Sequence, residues 1–145
     1  MNKPLIFGGV MSTLAALLHI AIIFGGADWY RYFGAGEEMA RMAEQGSWIP
    51  TILTLGIFLI LQIWGIYAFS GAGLIRRLPL LKPALVVISA IYLIRGLLLI
   101  PVWIIDPDFI TFLHIWSSIA SVIIGGAYAN GTKRVSHVRT KLPSG

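Results

Sequence analysis

Four apolar runs dominate the chain, each close to the length of about 20 residues that a helix needs to cross a hydrocarbon core. They cover residues 4–25, 48–70, 83–103 and 109–129, and the only charge-bearing side chains inside them are His19, Arg95 and His114. A backbone in lipid must satisfy its own hydrogen bonds, so runs of this kind fold as helices. The composition agrees, with 57% hydrophobic and 12% charged residues and a mean hydropathy of +0.84. Soluble domains carry roughly a quarter charged residues. The sequence therefore predicts an all-α membrane protein of four transmembrane helices in an antiparallel bundle. Residues 1–131 form the membrane domain and residues 132–145 a basic tail.

The first run follows Lys3 and ends near Gly25-Gly26-Ala27, which would serve a signal peptidase. Its apolar stretch is longer than a signal core and contains His19, so it reads as a retained span. Direction follows from the basic residues. Lys3, Arg76, Arg77, Lys82, Lys133, Arg134, Arg139 and Lys141 fall on one side, with only Arg31 and Arg41 on the other. All six acids (Asp28, Glu37, Glu38, Glu44, Asp106 and Asp108) lie in the two opposite loops. The positive-inside rule then places both termini and the central loop in the cytoplasm. In architecture the chain resembles small four-span bacterial inner-membrane proteins, which makes the bacterial plasma membrane the expected location.

A net charge of +5 with a pI near 9.9 raises nucleic acid as a partner. The tail lacks the interleaved aromatics and the folded module that such binding needs, so no nucleic acid partner is expected. Its basic residues suit topology and contact with membrane lipids.

Residues 26–47 form the longest loop. Trp29, Tyr30, Tyr32 and Phe33 are placed as an aromatic belt, and Gly34 and Gly36 allow a change of direction. The segment EEMARMAEQG reads as a short interfacial helix with Met39, Met42 and Ala43 facing down and Arg41 within reach of Glu37 and Glu38. As an alternative it is a lid with its carboxylates aimed inward.

Depth brings the three intramembrane residues together. His19 lies about 9 Å, Arg95 about 12 Å and His114 about 8 Å from the outer ends of their runs, at 1.5 Å per residue. Helical spacing aligns each with small or polar residues: Gly8, Ser12, Ala15 or Ala16 with His19; Ser89, Tyr92, Gly96 with Arg95; Ser117 or Ser118, Ser121, Gly125 with His114. Such stripes face other helices because lipid offers them no partners. The expected partners of Arg95 are Glu37 or Glu38 from the loop, or Asp106 or Asp108 above it. Pro101 is expected to kink the third span and Pro107 to cap the turn that follows.

The leading functional reading is a non-enzymatic membrane protein with an outward-facing polar pocket, acting in transport or as an accessory subunit. Its ligand would be small and anionic or amphipathic, such as a lipid, a fatty acid or a quinone, held by His19, Arg95, His114, Tyr92, Trp29, Tyr30, Glu37 and Glu38. Arginine supplies a bidentate grip on an acid group, and aromatics supply an apolar wall. An alternative is a redox subunit in which His19 and His114 ligate one haem b between them. A second alternative is a polar network that only fixes helix register. A zinc site from His19, Glu37 and His114 is the remaining enzymatic option, but no HExxH, phosphate-loop or Ser-His-Asp motif accompanies it. The absence of cysteine excludes disulfides, thiolate metal sites and cysteine nucleophiles. Four spans rarely enclose a complete transport path, so transport would need a homodimer or larger partner; Gly8-Gly9, Gly56 and Gly65, and Gly125-Gly126 offer faces for packing it, or equally for packing within one bundle.

Overall fold

The computed structural model describes the backbone of residues 1–140 and the side chains of residues 1–135. Every regular element among the described residues is helical. Four helical segments are long and apolar enough to cross a membrane: Lys3–Gly25, Ile49–Gly71, Leu81–Ile105 and Phe112–Val135. Their large apolar side chains, among them Leu14, Leu59, Val87 and Ile123, stay about half exposed on the chain, as a lipid-facing surface requires.

In chain order the helices are α1 (Lys3–Gly25), α2 (Ala27–Tyr32), α3 (Glu37–Glu44), α4 (Ile49–Gly71), α5 (Leu81–Leu97), α6 (Leu99–Ile105) and α7 (Phe112–Thr140). They fall into two compact units: Ser12–Ile63, and Met1–Met11 together with the chain from Trp64 onward.

In the first unit, the residues expected as a belt in a loop form a helix of their own, α2. It stops at Gly34, whose φ of +80° only glycine adopts freely, and Ala35 N–H closes the end on the Tyr30 carbonyl at 2.9 Å. Helix α3 follows at the expected place. Its apolar face, Met39, Ala40 and Ala43, packs on Tyr30, Phe33, Ala27 and Ile22. That face packs on its own chain, while Glu37 and Glu38 are exposed, so the carboxylates do not aim inward as the lid alternative has them.

In the second unit, α5 and α7 run antiparallel. Ser89 and Tyr92 meet α7 at Gly125, whereas Arg95 and Gly96 meet it a turn earlier, at Ser117 to Val122. The approach is close because the seam is built from small residues. A Cβ on Gly96 would stand 2.7 Å from the Ser118 carbonyl oxygen, and one on Gly125 would stand 3.0 Å from the Leu93 nitrogen. Helices in lipid associate through packing of this kind. Tyr128, fully buried, stacks on Tyr92 and donates from its hydroxyl to the Trp64 carbonyl at 3.0 Å. Gly8 leaves room for its ring, since a Cβ there would approach within 2.8 Å.

Two boundaries differ from expectation. The fourth span begins at Phe112 rather than at residue 109, because Pro107–Phe109 form a 3-10 turn with proline in its first position. Helix α7 also runs on through residue 132, where a separate tail was expected, so Lys133 and Arg134 continue the helix. The side chains of Arg139 and Lys141 lie outside the described residues.

Candidate functional site

Arg95 leaves α5 just before the helix breaks. The break between α5 and α6 falls at Leu98, three residues before Pro101. Proline has no N–H to give the Leu97 carbonyl, and its ring crowds that carbonyl, so a kink within this turn follows. A cavity of about 190 Å³ lies beside this break, between the ends of α5, α6 and α7. Arg95, Leu99, Val102, Phe109, His114 and Ser117 are among the residues that line it.

Arg95 is exposed on the chain, and its guanidinium is held from one side. Nη1 donates to Ser121 Oγ at 2.6 Å and to the Ser117 carbonyl at 3.3 Å, while Nη2 reaches Ser117 Oγ at 3.4 Å. Ser121 in turn donates to the Ser117 carbonyl at 2.8 Å. Within its own unit, no carboxylate lies within ion-pair distance of Arg95 among the described residues. The expectation of Asp106 or Asp108 as its partner is thus corrected. Asp106 and Asp108 stay exposed in the turn beyond the kink, and Glu37 and Glu38 have other partners.

His114 lines the same cavity, but at a shallower level than its place in the apolar run implied. Helix α7 starts only two residues before it, or about 3 Å along the axis. Its Nδ1 accepts the Thr111 N–H at 3.1 Å and lies 3.0 Å from Thr111 Oγ1. The first of these is one of the two bonds of a capping box, with a histidine in place of the usual glutamate three residues on. Because Nδ1 accepts from a backbone N–H, the neutral ring carries its proton on Nε2. Phe109 stacks on the ring at 5.1 Å.

Tyr92 does not line this cavity. It is buried against Trp64 and Tyr128, where the rings make an aromatic stack. Trp103, further along α6, is 64% exposed.

The remaining predicted residues belong to the other unit. His19 is half-buried and donates from Nδ1 to the Ala15 carbonyl one turn back, at 2.7 Å, which leaves Nε2 as an acceptor. Tyr30 is 3% exposed and its hydroxyl accepts from Thr54 Oγ1 at 3.3 Å, so it is a core residue of the α2–α3 cap. Trp29 is 42% exposed and packs on Phe33. Glu37 and Glu38 are exposed, as the N-terminal turn of α3 requires.

Arg31 organises that cap. Its guanidinium meets Glu37 at 2.9 Å, Glu44 at 2.7 Å and Asp28 at 3.5 Å, so one side chain ties α2 to both ends of α3. These carboxylates hold the Arg31 pKa well above the usual arginine range, and Arg31 in turn holds the Glu37 carboxyl below its usual value. Glu38 pairs with Arg41, at 3.8 Å.

Sequence reasoning missed Arg31, Thr111 and Phe109. Thr111-Phe112-Leu113-His114 was readable as a helix-start pattern, with a hydroxyl residue three before a polar acceptor. For Arg31 the only local signal was Asp28 three residues back, since Glu37 and Glu44 lie on the next helix.

No family model matches this chain, and no curated protein or solved structure matches it.

Proposed function

We propose that this is a small polytopic membrane protein of the bacterial plasma membrane, with both termini cytoplasmic, that binds the acid group of a small amphipathic molecule. It would act as an accessory or carrier subunit, with the site between α5, α6 and α7. The observation that carries this reading is Arg95: a guanidinium anchored by serine oxygens, facing a cavity, with no carboxylate of its own unit in ion-pair distance among the described residues. Ionisable residues at this depth in a membrane are more often functional than ornamental. The cavity volume of about 190 Å³ is below the range of whole drug-sized ligands, so it fits a carboxylate or phosphate head whose tail lies outside, along Val102 and Leu99. A quinone ring is a poorer match to that volume.

The haem reading draws less support. His114 presents a protonated Nε2 while Thr111 occupies Nδ1, so an axial bond would require breaking the helix cap. A purely structural network has a specific observation in its favour, the bonds from Arg95 to Ser117 and Ser121. The two readings separate on the purified protein. Mass spectrometry of an organic extract is expected to find an acidic amphiphile with the wild type and much less with Arg95→Gln. An empty wild type would leave the structural network as the better account. A haem band in the oxidised-minus-reduced spectrum, lost on changing His19 or His114, would favour the redox reading.

A further inference from the structure

A second cavity, of about 490 Å³, lies at the opposite end of the same unit, where α1 begins, α4 ends and α7 leaves its apolar stretch. Asn2, Ser70, Ile75, Arg77, Leu81 and Arg134 are among its walls. Those walls are pinned. Ser70 Oγ donates to the Arg76 carbonyl and accepts the Leu78 N–H, both at 3.0 Å, which folds the α4–α5 loop back on the end of α4. Tyr67 Oη donates to the Pro79 carbonyl at 3.2 Å, and Asn2 Nδ2 donates to the Gly131 carbonyl at 2.8 Å.

Arg77 and Arg134 are exposed, and neither has an ion pair among the described residues. The charge pattern explains this, since all six acids fall in the two loops at the other ends of the spans. Two unneutralised guanidiniums therefore border one pocket that also has apolar walls, at the level where apolar helix surface gives way to charge. Guanidinium groups grip phosphate oxygens in pairs, and a pocket of this volume is within the range that binds small molecules.

We propose that this cavity is a phospholipid site, in which Arg77 and Arg134 hold the phosphate of an anionic headgroup and Ile75 and Leu81 flank its glycerol end. The proposal is independent of the Arg95 cavity.

Native mass spectrometry of the full chain, titrated with phosphatidylglycerol or with phosphatidylcholine of the same acyl chains, tests it. The wild type is expected to retain phosphatidylglycerol in preference. Arg77→Gln/Arg134→Gln is expected to lower that retention about tenfold, as loss of charge-assisted bonds predicts. Arg76→Gln/Lys133→Gln removes equal charge nearby and should leave it unchanged. Equal losses in the two variants, or none in the first, would overturn the site. Arg77→Lys/Arg134→Lys preserves charge, and so insertion. It should lose part of the retention, because an ammonium cannot bind phosphate through a planar fork; full retention would overturn the role of the guanidiniums. Displacement of the lipid by an equal concentration of inorganic phosphate would assign the cavity to a free anion instead, while persistence of the lipid supports the proposal.

Discussion

Ser121 shows what one residue carries in this chain. It is 5% exposed, accepts from Arg95 and sits beside the closest contacts of α5 with α7. Ser121→Leu removes the anchor of the guanidinium and overfills the seam, a change that costs about 1–3 kcal/mol. The thermal midpoint in detergent should fall; an unchanged or raised midpoint would mean that this face meets lipid. Tyr128→Phe, by contrast, deletes one hydroxyl bond to Trp64 and should cost only about 0.5–1.5 kcal/mol on the same assay. The stripes through Ser12, Ala16, Ser89, Ser118, Ser121 and Gly125 were legible because helical spacing alone sorts buried from lipid-facing positions, and all of these are buried. The surroundings of Arg95 were not legible. They depend on where the kink falls and on which oxygens of another helix come within reach.

Among the elements, the α2–α3 cap is the one whose stability should respond to pH. The Glu37 carboxyl, lowered below its ordinary 4.5 by Arg31, contributes stability above that value. The contribution is lost as pH falls through the lower folded pKa. Amide protection factors across residues 27–44, exchange rates corrected for the intrinsic effect of pH, should therefore be steady from neutral pH down to about 4.5 and fall below it. Arg31→Gln should raise exchange at neutral pH and flatten the dependence. An unaltered profile would show that the apolar contacts of Tyr30, Met39 and Ala40 hold the cap without the ion pairs. Short helices such as α2 escape sequence reading, since six residues show little periodicity and aromatics at this depth look like a belt. Glycine stops, by contrast, were readable: Gly34 and Gly36 both have positive φ.

For the whole molecule, four helices long and apolar enough to cross a membrane followed directly from length and hydropathy; the first three lie within two residues of their expected bounds, and the fourth is shifted toward the C-terminus, Phe112–Val135 against 109–129. Their direction rests on charge placement. Cysteines at Glu44 and Asp108 should react with an impermeant reagent outside the cell, and one at Lys133 only after the membrane is opened. Lys133 is exposed, whereas neighbouring Thr132 is buried and would label poorly in either case. The reverse pattern would invert the topology. Among the glycines expected to pack a partner, Gly8, Gly9 and Gly125 are occupied within the chain, while Gly56 and Gly126 stay open. The central claim is that Arg95 receives an acid group. Thermal unfolding of the detergent-purified protein with decanoate, decanol or decyltrimethylammonium tests it most directly, because the three share a tail and differ in the head. Decanoate alone should raise the midpoint, and Arg95→Gln should abolish the rise. Equal shifts from all three, or a decanoate shift that survives Arg95→Gln, would contradict it.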